Sequence, residues 1–473
     1  MASNNIKIHQ HFKVAPTSST QVTTTIKPLT YFDLFWLRFH PVERVFFYTL
    51  PISQSHPSFF FQEIVPNLKS SLSLTLQHFL PLAGKIVWPS DSPKPFIQFN
   101  PNDDDDGVSL LIAESDLDFD RHVIENSPQE ASLSRSLIPY LESTDSFASV
   151  ISIQITLFPK TGFSIGISTH HAVLDGKSSM IFIKAWAYLC NNVNKTDGKQ
   201  STLLPELEPL FNREIIIDSN GKNSIDSLSK LFPNEKGNKR SLKVFPFEAK
   251  LEESVRATFK LTQEDLNKIK QNVLSKWEIF DTNEPKPKYL SSFVLSCAYS
   301  LVCIARAFQG VEKEREKFTF AFIIDCRSRL EPPMPNNYFG NCVIGHFIDT
   351  QPLDFIKEDG LNLVSKSIYD KIKLIKEKGV FEGVKDMFAK YTCLASEGVE
   401  IIGVAGSNRF GVYETDFGWG RPEKVEIVSI DRGLTIGLAE SKDGNGGIEV
   451  GLVLNKHVMN LFKTLFLEGL SID

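Results

Sequence analysis

The sequence predicts a mixed α/β protein built as two halves joined by a long irregular connection. Three observations carry this reading. Residues 151–169 alternate apolar and polar positions as two strands around a turn, and a helical pattern follows them. Residues 191–243 lose all periodicity and are rich in Asn, Lys, Ser, Gly and Pro. From about residue 244 strand and helix patterns resume, and the chain closes on strand, turn, strand and helix. At 473 residues it also exceeds what one ordinary core holds. The expected boundaries are therefore 1–190 for the first domain, 191–243 for the crossover and 244–473 for the second domain.

The elements follow in chain order. Residues 1–25 are polar and rich in Thr and Ser and read as a loose tail, with Pro28-Leu29-Thr30 opening the fold. Residues 31–48 are dense in aromatics and include Trp36. In 58–79, Phe61, Ile64, Val65, Leu68, Leu72, Leu76 and Phe79 recur at spacings of one, three and four. That is a helix, stopped by Pro81 and Gly84. The acidic run Asp103-Asp104-Asp105-Asp106 before Gly107 reads as a solvated turn. Ile151, Ile153, Ile155 and Leu157 then alternate with Ser152, Gln154 and Thr156. Pro159-Lys160-Thr161-Gly162 turns the chain, and Phe163, Ile165, Ile167 and Thr169 return it, so His170-His171 stands at the end of a hairpin. Residues 180–189 read as a helix that Asp175 or Ser178 caps.

In the second half, helices are expected near 262–276 and over 292–307. A strand Phe318–Asp325 ends at Cys326-Arg327-Ser328-Arg329. Strands over 434–440 and 448–454 flank the turn Asp443-Gly444-Asn445-Gly446-Gly447, and Asn455 caps a last helix through Phe466.

Composition excludes several classes. A net charge of −6 argues against a nucleic-acid binder. No run reaches about 18 apolar residues, so no membrane span is expected. The N-terminal residues lack the apolar centre of a secretory signal. The six cysteines form no CxxC pair, which removes zinc and thioredoxin-type chemistry and fits a reduced, cytoplasmic protein. The 37 Phe predict a large aromatic core, with a smaller share available to line a pocket for a flat ligand.

The chemistry concentrates at His171-Ala172-Val173-Leu174-Asp175-Gly176. Of ten histidines, only His171 is followed by Asp four residues on. Alone, such a pattern is common and a strand-end histidine reads more simply as a core or loop residue. As chemistry, an imidazole of ordinary pKa about 6.5 is the natural general base near neutrality. It can take a proton from an alcohol or amine that attacks an activated acyl group. A thioester is already activated, which fits the lack of a GxSxG elbow or a catalytic cysteine signature. Asp175 can orient the imidazole, or it can turn away and pair with a cation, for which Arg327 and Arg329 are available. No metal site is expected: His170 and His171, adjacent at a strand end, point to opposite faces, and no third ligand stands at suitable spacing.

The HxxxD segment after a hairpin, Tyr338-Phe339-Gly340-Asn341-Cys342 and Asp416-Phe417-Gly418-Trp419-Gly420 together resemble the plant BAHD acyl-CoA-dependent acyltransferases. HxxxD and DFGWG are that family's signatures, and YFGNC is similar to the added motif of its flavonoid and anthocyanin branch. Pro28-Leu29-Thr30-Tyr31-Phe32-Asp33, Leu80-Pro81-Leu82-Ala83-Gly84-Lys85 and Asp325-Cys326-Arg327-Ser328-Arg329-Leu330 match family patterns too, so the resemblance spans residues 27–468.

The resemblance implies two chloramphenicol-acetyltransferase-like α/β domains joined by a long crossover, with a channel between them and the histidine at its centre. It implies that part of 416–440 pairs with the first domain. It implies a monomer with no permanent cofactor that uses malonyl-CoA as co-substrate and acylates a sugar hydroxyl of a phenolic glucoside. His171 would be the base, Asp175 would hold the loop against an arginine, and Arg327, Arg329, Asp416, Gly418, Trp419 and Gly420 would be structural. Lys177 and Arg409 are the candidate cations for the malonyl carboxylate, and Asn408 is a candidate oxyanion donor. Trp36 and Tyr31 are expected at the acceptor, and Lys260, Ser291 and Ser292 at CoA. Two alternatives stay open: a hydroxycinnamoyl-CoA or acetyl-CoA donor, and a non-catalytic relative that binds glucoside and CoA.

Overall fold

In the computed structural model, residues 6–17, 24–123, 128–193, 202–216, 241–245, 253–277, 286–383 and 387–471 are described. The alternating hairpin is the centre of the first half. Ile151–Phe158 and Gly162–Thr169 pair antiparallel in register, from Gly162 opposite Phe158 to Thr169 opposite Ile151. All sixteen positions are buried, because the sheet is covered on both faces. One face meets the large core that includes Leu68, Leu72, Phe182 and Trp186; the other meets a small cluster with Val45, Phe47, Phe119 and Phe158. On the polar face Gln154 donates to Ser136 O (3.2 Å) and to Thr156, whereas the hydroxyls of Ser152, Ser164 and Ser168 are buried with no partner among the described residues. Gly166 is required here: a Cβ would stand 1.9 Å from Leu137 O.

The six-stranded sheet runs in the order Ile6–Val14, Val108–Ser115, Ile151–Phe158, Gly162–Thr169, Val42–Thr49, Lys424–Ile427. Its first strand corrects the expected loose tail. Ile6–Val14 pairs along Val108–Ser115, with a register shift between Ile8 and Gln10. It is an edge strand whose residues are mostly exposed, so its apolar alternation is diluted and reads as a polar tail. Residues 58–79 are helical but not uniformly so. A π turn, Phe60–Ile64, separates Pro57–Phe59 from Val65–His78. Pro66 cannot donate to the carbonyl one turn back, and the wider turn just before it absorbs the conflict. The acidic run is not a simple solvated turn either: Asp106 is buried, and Lys85 pairs with Asp103 and Asp106 at 3.2 Å each.

The second half is built on a seven-stranded sheet in the order Val343–Phe347, Phe318–Asp325, Glu400–Ser407, Thr435–Glu440, Ile448–Asn455, Ser254–Leu261, Gln129–Glu130. A small sheet of Thr25–Pro28, Phe96–Phe99, Lys85–Val87 and Phe147–Ser149 completes the first half. The halves exchange strands. Lys424–Ile427 joins the first sheet beside Val42–Thr49, and Gln129–Glu130 joins the second beside Ser254–Leu261. Ser292–Val311 is long and apolar enough to cross a membrane, yet most of it is buried in the second core. The described part of the crossover is packed too: Leu203 and Leu207 enter the first core, and Leu210 bridges Tyr338.

Candidate active site

The hairpin's second strand ends at Thr169, and a tight turn carries the chain into the helix Gly176–Val193. Asp175 caps that helix by accepting from Ser178 N at 2.9 Å. Its carboxylate is fully engaged. Oδ2 meets Arg327 Nη1 at 2.8 Å and accepts from Cys342 N at 3.0 Å; Oδ1 accepts from Arg327 Nη2 at 3.2 Å. Burial alone would raise this carboxyl, but the Arg327 charge, its hydrogen bonds and the two backbone N–H groups hold it below the usual range. Asp175 therefore stays ionised and faces away from His171 chemistry. Of the two candidate arginines, Arg327 makes the pair and also donates to Gly340 O and Ser178 Oγ. Arg329 is exposed at the cavity and donates to Asp325 O at 2.6 Å.

His171 lies flat against Trp36, with ring centroids 3.9 Å apart and planes 4° from parallel, and Phe39 closes on it edge-on at 5.9 Å. Among the described residues its buried Nδ1 has no hydrogen-bond partner, and the ring lines the cavity. Its backbone carbonyl accepts from Asn341 Nδ2 at 2.8 Å. Asn341 in turn donates to Asp33 Oδ1 at 3.0 Å, and Asp33, fully buried, pairs with Arg213 at 2.7 Å. Burial pushes the imidazole down to about 4, and the charge of nearby His40 adds to that; the residue's own backbone, then Asp175 and Asn341, pull the other way without cancelling it. At neutral pH the ring is neutral and able to accept a proton.

The ring opens on a cavity of about 2390 Å³ between the halves, lined on one side by Trp36, Phe39 and His171 and on the other by Ser292, Phe322 and Asn408. Lys177 lines it, but its ammonium is engaged by Asn336 Oδ1 at 2.9 Å and Asp325 Oδ2 at 3.7 Å. Arg409 lines it and is exposed, and Asn408 donates to Ser292 Oγ at 3.2 Å. Ser291 also lines it while capping Ser292–Val311 through Val294 N.

Two expected contacts are corrected. Tyr31 does not line the cavity; it packs edge-on against Phe32 and Phe381, because the short helix Tyr31–Leu34 turns it toward the second core. Lys260 lies outside the lining and pairs with Asp443 across the Ile448–Asn455 strand turn.

The DFGWG segment is also away from the cavity. Asp416 Oδ1 accepts from Gly418 N at 2.7 Å and Gly420 N at 3.0 Å, with both glycines at positive φ. Phe417 is edge-on to Tyr48 and Trp186, and Trp419 to Phe163, so the segment clasps the first core. Sequence reasoning misses the roles of Asp33 and Arg213. Asp33 sits inside a quoted motif, but Arg213 lies in the aperiodic crossover, where no spacing marks it.

A profile described as the Transferase family matches residues 5–468. The chain belongs to this family, the BAHD acyltransferases. It is 39% identical to phenolic glucoside malonyltransferase 1 of Arabidopsis thaliana, over 99% of this chain and 98% of that one. It is 38% identical to the malonyl-CoA:anthocyanidin 5-O-glucoside-6''-O-malonyltransferase of the same plant, over 98% of each. Among solved structures it is similar to vinorine synthase, with a TM-score of 0.68 and 20% identity over 98% of both chains. It is also similar to TRI101 of F. sporotrichioides complexed with coenzyme A and T-2, with a TM-score of 0.60 and 15% identity over 93% of this chain and 97% of that one. These structural likenesses establish the two-domain α/β fold of this BAHD acyltransferase.

Proposed function

We propose that this BAHD acyltransferase moves the malonyl group of malonyl-CoA to a sugar hydroxyl of a phenolic glucoside, the glucose 6-hydroxyl being the favoured acceptor. The observation that carries the reading is a neutral, cavity-facing His171 in a chamber large enough for two substrates at once. A single drug-sized ligand fills roughly 300–1,000 Å³, and this chamber exceeds that. Relatives named as glucoside malonyltransferases along the whole chain supply the substrate class.

His171 Nε2 takes the proton of the acceptor hydroxyl as its oxygen bonds to the thioester carbonyl carbon. Asn408 donates to the resulting oxyanion. The carbonyl re-forms, the carbon–sulfur bond breaks, and His171 returns the proton to the CoA sulfur. Base catalysis of this kind contributes about 10²–10⁴ in rate, and one oxyanion donor about 10²–10³. Trp36 fixes the imidazole plane. Ser291 and Ser292 belong to the CoA side, and Lys177 and Arg409 remain candidate donor contacts. The reading includes malonyl-CoA as a co-substrate with no resident prosthetic group, a monomer, and a cytoplasmic setting that suits the unpaired cysteines.

The test is a matrix of malonyl-, acetyl- and coumaroyl-CoA against flavonoid, isoflavonoid and simple phenolic glucosides, read by product mass. The expected product gains one malonyl group. Preferential coumaroyl or acetyl transfer would replace the donor assignment. Ligand binding without product, unaltered by His171→Ala, would establish a non-catalytic protein instead.

A further inference from the structure

The strand Val42–Thr49 places Val42, Arg44, Phe46 and Tyr48 on one face. Phe46 and Tyr48 are sealed in the first core. Arg44 stands in the same row where that core opens into the cavity; it is 5% exposed and lines the chamber. Its register partners on either side are Ile167 and Ile427. Among the described residues its guanidinium makes one hydrogen bond, from Nη1 to the Met180 thioether sulfur at 2.8 Å, and its buried Nε has no partner.

This is unusual within the molecule. The other buried arginines, Arg213, Arg256 and Arg327, each have a carboxylate within 4.0 Å. Arg44 has none. Burial lowers it to about 10, with the charge of Glu440 opposing, so it remains a cation at neutral pH. A guanidinium has five N–H donors, and a thioether is a weak acceptor. A buried cation left in this state is costly unless an anion meets it.

Its location says which anion. Met180 lies on the first turns of the helix that follows His171-Ala172-Val173-Leu174-Asp175, so Arg44 faces the start of that helix across the cavity wall. The free carboxylate of a malonyl group is one methylene from the thioester carbonyl, so the cation that reads it must lie close to the reacting carbon. Lys177 already has Asn336 and Asp325, and Arg409 is on the exposed side.

We propose that Arg44 binds the free carboxylate of the malonyl donor and so sets the thioester carbonyl beside His171. The assignment deepens the malonyl-transfer reading and rests on it. The competing role is structural, a buried counter-charge to Glu440, whose Oε2 is itself buried without a partner among the described residues.

Steady-state kinetics of wild type, Arg44→Met and Arg44→Lys with malonyl-CoA and with acetyl-CoA, against one glucoside, separate these roles. Losing charge-assisted hydrogen bonds to the donor predicts a fall of roughly 10- to 100-fold in kcat/KM for malonyl-CoA in Arg44→Met, carried mostly by KM. Acetyl-CoA should change by less than about threefold. Arg44→Lys keeps the charge without the planar fork and should fall between wild type and Arg44→Met. It also secures the answer where the Met variant fails to fold. Equal losses with both donors, or an unchanged malonyl-to-acetyl ratio in either variant, would overturn the assignment. So would loss of malonyl preference in Lys177→Ala with Arg44→Met retaining it. A wild type that prefers malonyl-CoA while the Arg44 variants keep that preference undiminished sinks this inference alone. A wild type that ignores malonyl-CoA overturns the function reading as well.

Discussion

His171 is useful as a base because it is kept neutral. Burial moves its pKa from the ordinary 6.5 to about 4, so the unprotonated ring persists well below neutrality. The group must be unprotonated to act, so kcat/KM should be flat with respect to His171 from pH 7 to about 5 and fall below that. A pH–rate profile with an acid limb at 6.5 or higher would show that the ring is solvated rather than sealed by Trp36. His171→Ala should cost about 10²–10⁴ in kcat with an unchanged far-UV spectrum.

Asp175 behaves differently. Both of its oxygens are occupied by Arg327, Ser178 and Cys342, so its removal is a structural event. Asp175→Asn breaks a buried pair, for which about 3–5 kcal/mol is usual. The value should fall at the low end, because Asp325 still holds Arg327 at 3.0 Å. Urea unfolding measures it, and a variant as stable as wild type would contradict the structural role. The strand ending at Asp325 narrows Asp175's partner to two arginines on sequence alone. Only packing separates Arg327 from Arg329.

At the level of elements, the Tyr338-Phe339-Gly340-Asn341-Cys342 segment is a clamp on the turn that presents His171. Asn341 holds the His171 carbonyl, Cys342 N holds Asp175, and Gly340 exchanges hydrogen bonds with Ser178 Oγ. Gly340 has φ +154, and a Cβ there would lie 2.5 Å from Arg213 Nη1, so no other residue fits without displacing the Asp33–Arg213 pair. Asn341→Ala should lower kcat about tenfold with little change in KM, at a stability cost of about 1–3 kcal/mol for the partners left unpaired. A KM effect larger than the kcat effect would place Asn341 in substrate binding instead. Trp419→Ala should do the opposite: it weakens packing on Phe163 and lowers the melting temperature while leaving both KM values unchanged.

Legibility follows from periodicity. The hairpin 151–169 is readable because apolar and polar positions alternate along most of both strands, and Ser292–Val311 because apolar residues dominate its length. Ile6–Val14 escapes because an exposed edge strand needs little apolar surface, and Gln129–Glu130 because two residues hold no period at all. Arg213 escapes because its function depends on where an aperiodic segment happens to pack.

At the scale of the whole molecule, the exchanged strands bring buried charges to the seam between the halves. Arg135 pairs with Glu43 and Asp431, and Arg256 donates to Ile427 O at 2.8 Å and Val428 O at 2.9 Å. Glu426, on the strand lent to the first sheet, accepts from Ser134 Oγ at 2.6 Å and pairs with Lys424 at 2.8 Å. Burial would raise Glu426, but Lys424, His122 and Arg256 hold it far below the usual carboxylate range. Its stabilisation is therefore present above its ordinary value of 4.5 and lost as pH falls.

The buried histidines act earlier on the same axis. Burial lowers His40, His171 and His346 to about 4 and His170 to about 3, from 6.5. Between 6.5 and 4 the unfolded chain binds protons that the folded chain refuses, so stability is full above about 6.5 and declines on acidification. The melting temperature should form a plateau above pH 6.5, fall gradually toward pH 4.5, and fall further below it as Glu426 of the unfolded chain takes up a proton that the folded chain refuses. Because each half holds a strand of the other's sheet, the loss should occur as one cooperative transition. Differential scanning calorimetry from pH 8 to 4 checks both statements. Two resolved transitions would mean that the strand exchange does not couple the halves, and a melting temperature that rises on acidification would contradict the buried, neutral state of the histidines. Glu426→Gln should lower stability at pH 7 and flatten the curve below pH 4.5, leaving the histidine-driven decline between 6.5 and 4.5 in place.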